Sequence, residues 1–249
     1  MDKFFPNKLA LITLLSACAV ILVSMGIRQT FGLFFSAFEE GLGVTRTEFG
    51  LAIGIQMLFW GIFAPLFGLF ADKFGGNKAV FIGFLIFGLG IYLISNGPNT
   101  GIFFQISVGV LVGTALGATA MSVPVSEVGK HFSNEKRTVA TGIVTAAASV
   151  GYFIAPLFTT LSLQSYGWQS TLKYFLFFIL FGLLASIFLK RKNNGNLVTN
   201  PEINNQKFLD ALTEAFSHKG YILLVAGFFV CGFQITLVAT HIPAYMKLR

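Results

Sequence analysis

Long apolar runs, separated by short polar clusters, follow one another along almost the whole of this chain. About 20 apolar residues form a helix long enough to cross a bilayer. The pattern predicts seven crossings, over residues 9–38, 48–71, 79–94, 101–128, 138–163, 171–189 and 221–240. The first run is too long for the apolar region of a signal peptide and lacks a small-x-small cleavage pattern, so it is expected to be retained. Glu39, Glu40, Arg46 and Glu48 mark the first turn, and Ser95-Asn96-Gly97-Pro98-Asn99 is a clear helix stop after the third run. Lys130 to Arg137 form the loop after the fourth run, and Gln164 to Ser170, with Gly167-Trp168, the turn after the fifth. In the fourth run Gly109, Gly113 and Gly117 recur every four residues. That smooth strip predicts close contact with another helix.

The sixth run stops at Lys190-Arg191-Lys192, and a polar stretch containing Asn193-Asn194-Gly195-Asn196 follows. It reads as a flexible linker. Its latter part places Ile203, Phe208, Leu209, Leu212 and Phe216 roughly on one helical face, which predicts a short helix along the membrane surface. The expected organisation is a six-helix bundle over 1–192, a linker with a surface helix over 193–219, and the first helix of a further bundle over 220–249. The fold class is an all-α integral membrane protein.

Composition agrees. The chain has 249 residues, of which 55% are hydrophobic and only 11% charged, and its mean hydropathy is +0.76. A soluble domain carries about 25% charged residues. A net charge of +7 raises nucleic acid as a partner, but the cations follow the membrane instead of clustering with exposed aromatics. With the amino terminus in the cytoplasm, Lys3, Lys8, Lys73, Lys78, Lys130, Lys136, Arg137, Lys190, Arg191, Lys192, Lys207 and Lys219 lie inside, twelve of the seventeen. Arg46, Lys173, Lys247 and Arg249 fall outside, and Arg28 lies within a crossing. That asymmetry sets the orientation. Cys18 and Cys231, both in apolar runs, read as small packing residues and not as a disulfide or metal pair.

The polar gap after the second run is Gly68-Leu69-Phe70-Ala71-Asp72-Lys73-Phe74-Gly75-Gly76-Asn77-Lys78. Gly68 leaves room for a close neighbour, Gly75-Gly76 lets the backbone turn sharply, and Asp72, Lys73 and Lys78 sit at fixed offsets. This stretch resembles the loop between the second and third helices of the major facilitator superfamily, G-x-x-x-D-[RK]-x-G-x-[RK]-[RK]. It departs once, where Asn77 replaces the first cation of the closing pair. Gly167-Trp168-Gln169 resembles the family's Gly-Trp-Arg, and Glu135-Lys136-Arg137 leading to Gly142 resembles its fourth loop. Gly26-Ile27-Arg28-Gln29-Thr30-Phe31-Gly32-Leu33-Phe34 is similar to the first helix of bacterial relatives of monocarboxylate and oxalate/formate transporters. Gly227-Phe228-Phe229-Val230-Cys231-Gly232-Phe233-Gln234, with His241-Ile242-Pro243-Ala244-Tyr245, is similar to their seventh.

The resemblance implies twelve helices in two halves, with substrate between them near the bilayer midplane. Against that plan this chain holds the first half and the seventh helix. It implies a truncated or split product, inactive unless a separate chain supplies the missing helices. It further implies a carrier of a small carboxylate, acting as a uniporter or coupled to protons. In the family the carboxylate equivalent to Asp72 meets the positive end of a helix in the other half; that latch partner is missing here.

An arginine inside a membrane needs a partner or a watery cavity. Arg28 has no acid among its helical neighbours, and its planar fork suits a carboxylate. A structural arginine reaching the outer interface is the competing reading. Gln29, Gln56, Tyr152 and Gln234 are uncharged hydrogen-bonding groups in the first, second, fifth and seventh crossings, suited to a shared cavity or to helix–helix contacts. Glu127, at the end of the fourth run, reads as solvated. His241 suits a proton relay, or an interfacial or capping place before Pro243. No nucleophile–base pair, clustered carboxylates or phosphate loop with P-loop spacing is present, so an enzyme or ATP-driven pump is disfavoured, and neither cofactor nor metal is expected. A membrane scaffold that does not transport is the alternative.

Overall fold

The computed structural model describes residues 5–98, 100–189 and 208–246, and among them every regular element is helical. Helix α1 (Lys8–Thr30) begins where the Asn7 side chain accepts the Ala10 N–H at 2.8 Å. A 3₁₀ turn (Phe31–Phe34) joins it to α2 (Phe35–Leu42), which Gly43 ends in the left-handed region at φ 68°. Together they form the first crossing, Lys8–Leu42. Helix α3 (Arg46–Phe74), the second crossing, opens on a capping box between Thr45 and Glu48. Helix α4 (Gly76–Asn96) is the third.

The fourth crossing, Gly101–Gly129, is built from α5 (Gly101–Phe104), a π-helical stretch (Gln105–Leu111), α6 (Val112–Thr119) and α7 (Ser122–Gly129). The glycine strip packs as its spacing predicts. A Cβ on Gly109 would stand 2.8 Å from Ile55, one on Gly113 2.6 Å from the Gln56 carbonyl, and one on Gly117 2.8 Å from the Phe63 backbone. The strip therefore runs along α3.

Helix α8 (Asn134–Ile187) has 54 residues, about 80 Å at 1.5 Å per residue and more than twice the bilayer core. It is two crossings. Gly167, at φ 75° and ψ 173°, separates arms 134–166 and 168–187. Ring contacts between Phe158 and Phe178 and between Tyr166 and Tyr174 show one arm folded onto the other. The expected turn over 164–170 is thus concentrated in one residue, because the helix continues on both sides. That conformation is essentially confined to glycine. Gly167→Ala is expected to cost roughly 1–3 kcal/mol, read as a lower midpoint of thermal unfolding in detergent.

The core lies between α1, the fourth crossing, α4 and the second arm of α8. Val20, Ile21, Phe84, Phe87, Leu116 and Leu172 are fully buried there. The second crossing and the first arm of α8 turn large apolar side chains outward, among them Leu58, Leu66, Phe153 and Leu161, as membrane helices do. At the end opposite the basic loops Phe38 stacks on Phe34 and meets Phe104 and Trp168 edge-on, which ties three crossings together.

The chain divides into two compact units, Met1–Arg191 and Lys192–Arg249. The second holds α9 (Phe208–Ser217) and α10 (Lys219–Met246), joined at a Phe216–Tyr221 ring contact. Helix α9 falls within the expected surface helix, whose first residues, 203–207, lie outside the described ones. With α8 as two crossings and α10 as the last, this is a multi-pass membrane protein with seven apolar crossings among the described residues.

Candidate functional site

Arg28 stands on the last turn of α1, where a cation favours the negative helix end, next to the change to 3₁₀ geometry. Its half-buried guanidinium lies 5.0 Å from the centre of the Trp60 ring. Nη2 donates to the Met57 sulfur at 3.3 Å, while Nε is buried with no hydrogen-bond partner. Among the described residues no carboxylate lies within 4.0 Å of it. Tyr152, in the first arm of α8, is within electrostatic range of the guanidinium. Three crossings thus converge here.

The other sequence candidates fall in different places. Gln29 follows Arg28, and its Oε1 is buried without a partner. Gln56 is fully buried and donates to the Val108 carbonyl at 3.2 Å. That carbonyl lies in the π-helical stretch, whose wider turn alters the α-helical ladder. Gln56 therefore joins the second crossing to the fourth. Gln234 lies on α10, in the second unit. Met57 and Trp60 were not singled out from the sequence. Their i, i+3 spacing on an otherwise apolar helix looks like core, and only the fold brings them to Arg28.

A second constellation lies at the basic end. Gly75 takes φ 102° and ψ 141°, ends α3 and precedes α4. Of the glycine pair it alone has positive φ. Gly76 serves for space, since a Cβ there would collide with the Glu127 side chain. Gly68 differs from expectation: an added Cβ would meet open space, so no neighbour within the described residues packs closely on it. Lys73 lies over the Phe74 ring at 5.1 Å, and Lys78 is exposed.

Asp72 pairs with Lys130 at 3.0 Å, and the same ammonium donates to Glu127 at 2.8 Å. Burial pulls the Lys130 ammonium down, but the hydrogen bonds and charges of Glu127 and Asp72 outweigh it and leave its pKa raised. Glu127 is 1% exposed, contrary to the solvated carboxylate expected. A break at Ala120–Met121 sets α7 off from α6, and α7 enters among α1, α3, α4 and α8. His131 is buried beside it, its Nδ1 2.9 Å from the Glu127 carbonyl oxygen. Lys130 was missed as a site residue. Its signals were present: it follows Glu127 by three residues on a helix end, and Asn77 leaves the loop one cation short.

Apolar crossings around a membrane-embedded arginine, with a charged glycine turn between the second and third, make a membrane-spanning helical bundle. The chain belongs to the Major Facilitator Superfamily, whose family model matches residues 17–249. It is 30% identical to the riboflavin transporter RibZ of Clostridioides difficile over 50% of this chain and 25% of that protein. It is 31% identical to monocarboxylate transporter 9 of Rattus norvegicus over 54% of this chain and 25% of the relative. An uncharacterized transporter of Buchnera aphidicola is 24% identical over 100% of this chain and 62% of its own length. The matches thus span from a quarter to about three-fifths of these relatives.

Proposed function

We propose that this chain supplies the amino-terminal bundle and seventh helix of a secondary transporter. It carries a small organic anion, a monocarboxylate first of all, by alternating access, as a uniporter or with protons. In this reading the protein lies in a bacterial inner membrane with its basic end in the cytoplasm. Residues 1–192 form the bundle, 193–219 the linker and 220–249 the first helix of a second bundle.

The observation that carries this reading is the Arg28 guanidinium, held inside a crossing without a carboxylate partner among the described residues. An uncompensated cation in the membrane is costly, and a substrate carboxylate would relieve that cost with two charge-assisted hydrogen bonds. Tyr152 and Gln29 are proposed to join Arg28 in the site, with Gln56 supporting the helix contact, and Gln234, on α10, is proposed as a substrate-binding residue of the second unit. Asp72, with Gly68, Lys73, Gly75 and Lys78, is proposed to govern conformational change, and Lys130 holds Asp72 within this half.

The test is uptake of labelled small carboxylates into vesicles containing the chain, alone and with a co-expressed second half. Uptake is expected with the second half present and is expected to vanish in Arg28→Gln. Uptake unaffected by that substitution removes Arg28 from the mechanism. No uptake in any combination favours the non-transporting scaffold.

A further inference from the structure

A guanidinium presents two edges to a carboxylate, and the side-on edge consists of Nε and Nη2. On Arg28 this edge is the lightly held one: Nε has no hydrogen-bond partner, and Nη2 faces the Met57 thioether at 3.3 Å. A thioether sulfur is a weak acceptor. The cation is held differently by the Trp60 ring, over which its central carbon lies 5.0 Å from the ring centre, and which attracts it through the ring quadrupole. Met57 and Trp60 are both on α3, one turn apart, so the second crossing both occupies and orients the fork carried by the first.

Resting on the anion reading of Arg28, we propose that Met57 is a placeholder for the substrate carboxylate and Trp60 the positioning residue that fixes the guanidinium plane. Carboxylate binding exchanges one weak N–H···S contact for two parallel N–H···O bonds on the Nε–Nη2 edge. The sulfur then moves aside and lines the pocket with the indole, so the substrate body beyond the carboxylate is apolar. Among the described residues, Arg28 is the one cation deep within the crossings of this bundle. One buried cation matches one negative charge, whereas a second carboxylate would enter unpaired at high cost. The ligand class is a monocarboxylate with an apolar tail.

The chain has two tryptophans, so Trp168→Phe leaves Trp60 as the sole indole. The experiment titrates the chain in lipid nanodiscs with butyrate and with succinate and follows Trp60 emission. A saturable change with butyrate, much weaker with succinate and absent in Arg28→Gln, is expected. Met57→Leu should retain the butyrate response. Met57→Glu installs a permanent carboxylate at the edge and should weaken it roughly 10- to 100-fold while raising thermal stability. The Trp60 variants carry no indole to follow, so for them, and for the parent beside them, binding of labelled butyrate to the nanodiscs is measured: Trp60→Leu should weaken it roughly 3- to 30-fold, with recovery in Trp60→Phe, because an aromatic face and not bulk is what holds the cation.

Butyrate binding of normal strength in Met57→Glu overturns the placeholder, and so does loss of binding in Met57→Leu. An equal response to succinate overturns the single-charge selectivity. A Trp60→Leu protein that binds as the parent does, or a loss that Trp60→Phe fails to restore, overturns the positioning role. If butyrate leaves the parent emission unchanged, the anion reading of Arg28 fails. Met57 is then still judged without ligand: Met57→Glu raises thermal stability only if its carboxylate reaches the Nε–Nη2 edge, and unchanged or lower stability overturns the assignment.

Discussion

Phe38→Ala is expected to remove about 3 kcal/mol of stability, the lower end of the range for deleting a buried phenylalanine. The ring is 0% exposed and touches Phe34, Phe104 and Trp168, from its own crossing, the fourth and the sixth. In a bilayer the unfolded reference is also apolar, so little transfer energy is lost. What is lost is packing: the dispersion contacts around the cavity have no replacement. The surroundings cannot collapse easily, because Gly41 already lies against the Trp168 indole with no room for a Cβ. Phe153→Ala, at a ring 71% exposed on the outward face, is expected to change stability by less than about 0.5 kcal/mol. Thermal unfolding of both variants in one detergent compares them, and an equal loss would mean that the aromatic cluster does not join the crossings.

Lys130→Gln is expected to cost about 3 kcal/mol, because it leaves the buried Glu127 carboxylate without its cation. Since Lys130 is 25% exposed, the lower end of the range for broken buried pairs applies. Asp72→Asn should cost less than about 1 kcal/mol, since Asp72 is 67% exposed and water can replace its partner. Adding Glu127→Gln to Lys130→Gln should restore most of the loss, because both charges are then gone. The pH dependence follows from the raised Lys130 pKa. A lysine whose pKa is higher folded than unfolded contributes fully below the unfolded value and loses that contribution as pH rises through the folded one. The contribution should therefore be intact at neutral pH and disappear only above the ordinary lysine range. Unfolding midpoints from pH 7 to 12, parent against Lys130→Gln, check this, and curves that already converge below the ordinary lysine range would rule it out.

Much of the fold was written in local pattern. The apolar runs marked every crossing, since crossing length depends only on contiguous hydrophobicity. The four-residue glycine spacing announced a close helix contact, though not that α3 would fill it. The family was legible from the loop around Asp72. The turn between the fifth and sixth crossings was overdrawn, because a composition rich in turn formers does not reveal that one glycine can make the reversal.

The candidate site was only half legible. Arg28 stood out because a charge inside an apolar run is costly wherever it points, and Tyr152 as a polar group in a crossing. Met57 and Trp60 look like ordinary apolar filling until the second crossing lies beside the first. Gln56 suited either a shared cavity or a helix contact, and only the fold shows the Val108 carbonyl of the π-helical stretch to which it donates. Glu127 looked solvated and is buried, because the break at Ala120–Met121 redirects α7. The sequence by itself determined the crossings, the family and the one arginine that the membrane makes conspicuous, since each depends on residues near one another in the chain. The tertiary structure alone decided which groups hold that arginine and which cation serves Asp72 and Glu127, because those partners lie on different helices and meet only when the bundle packs.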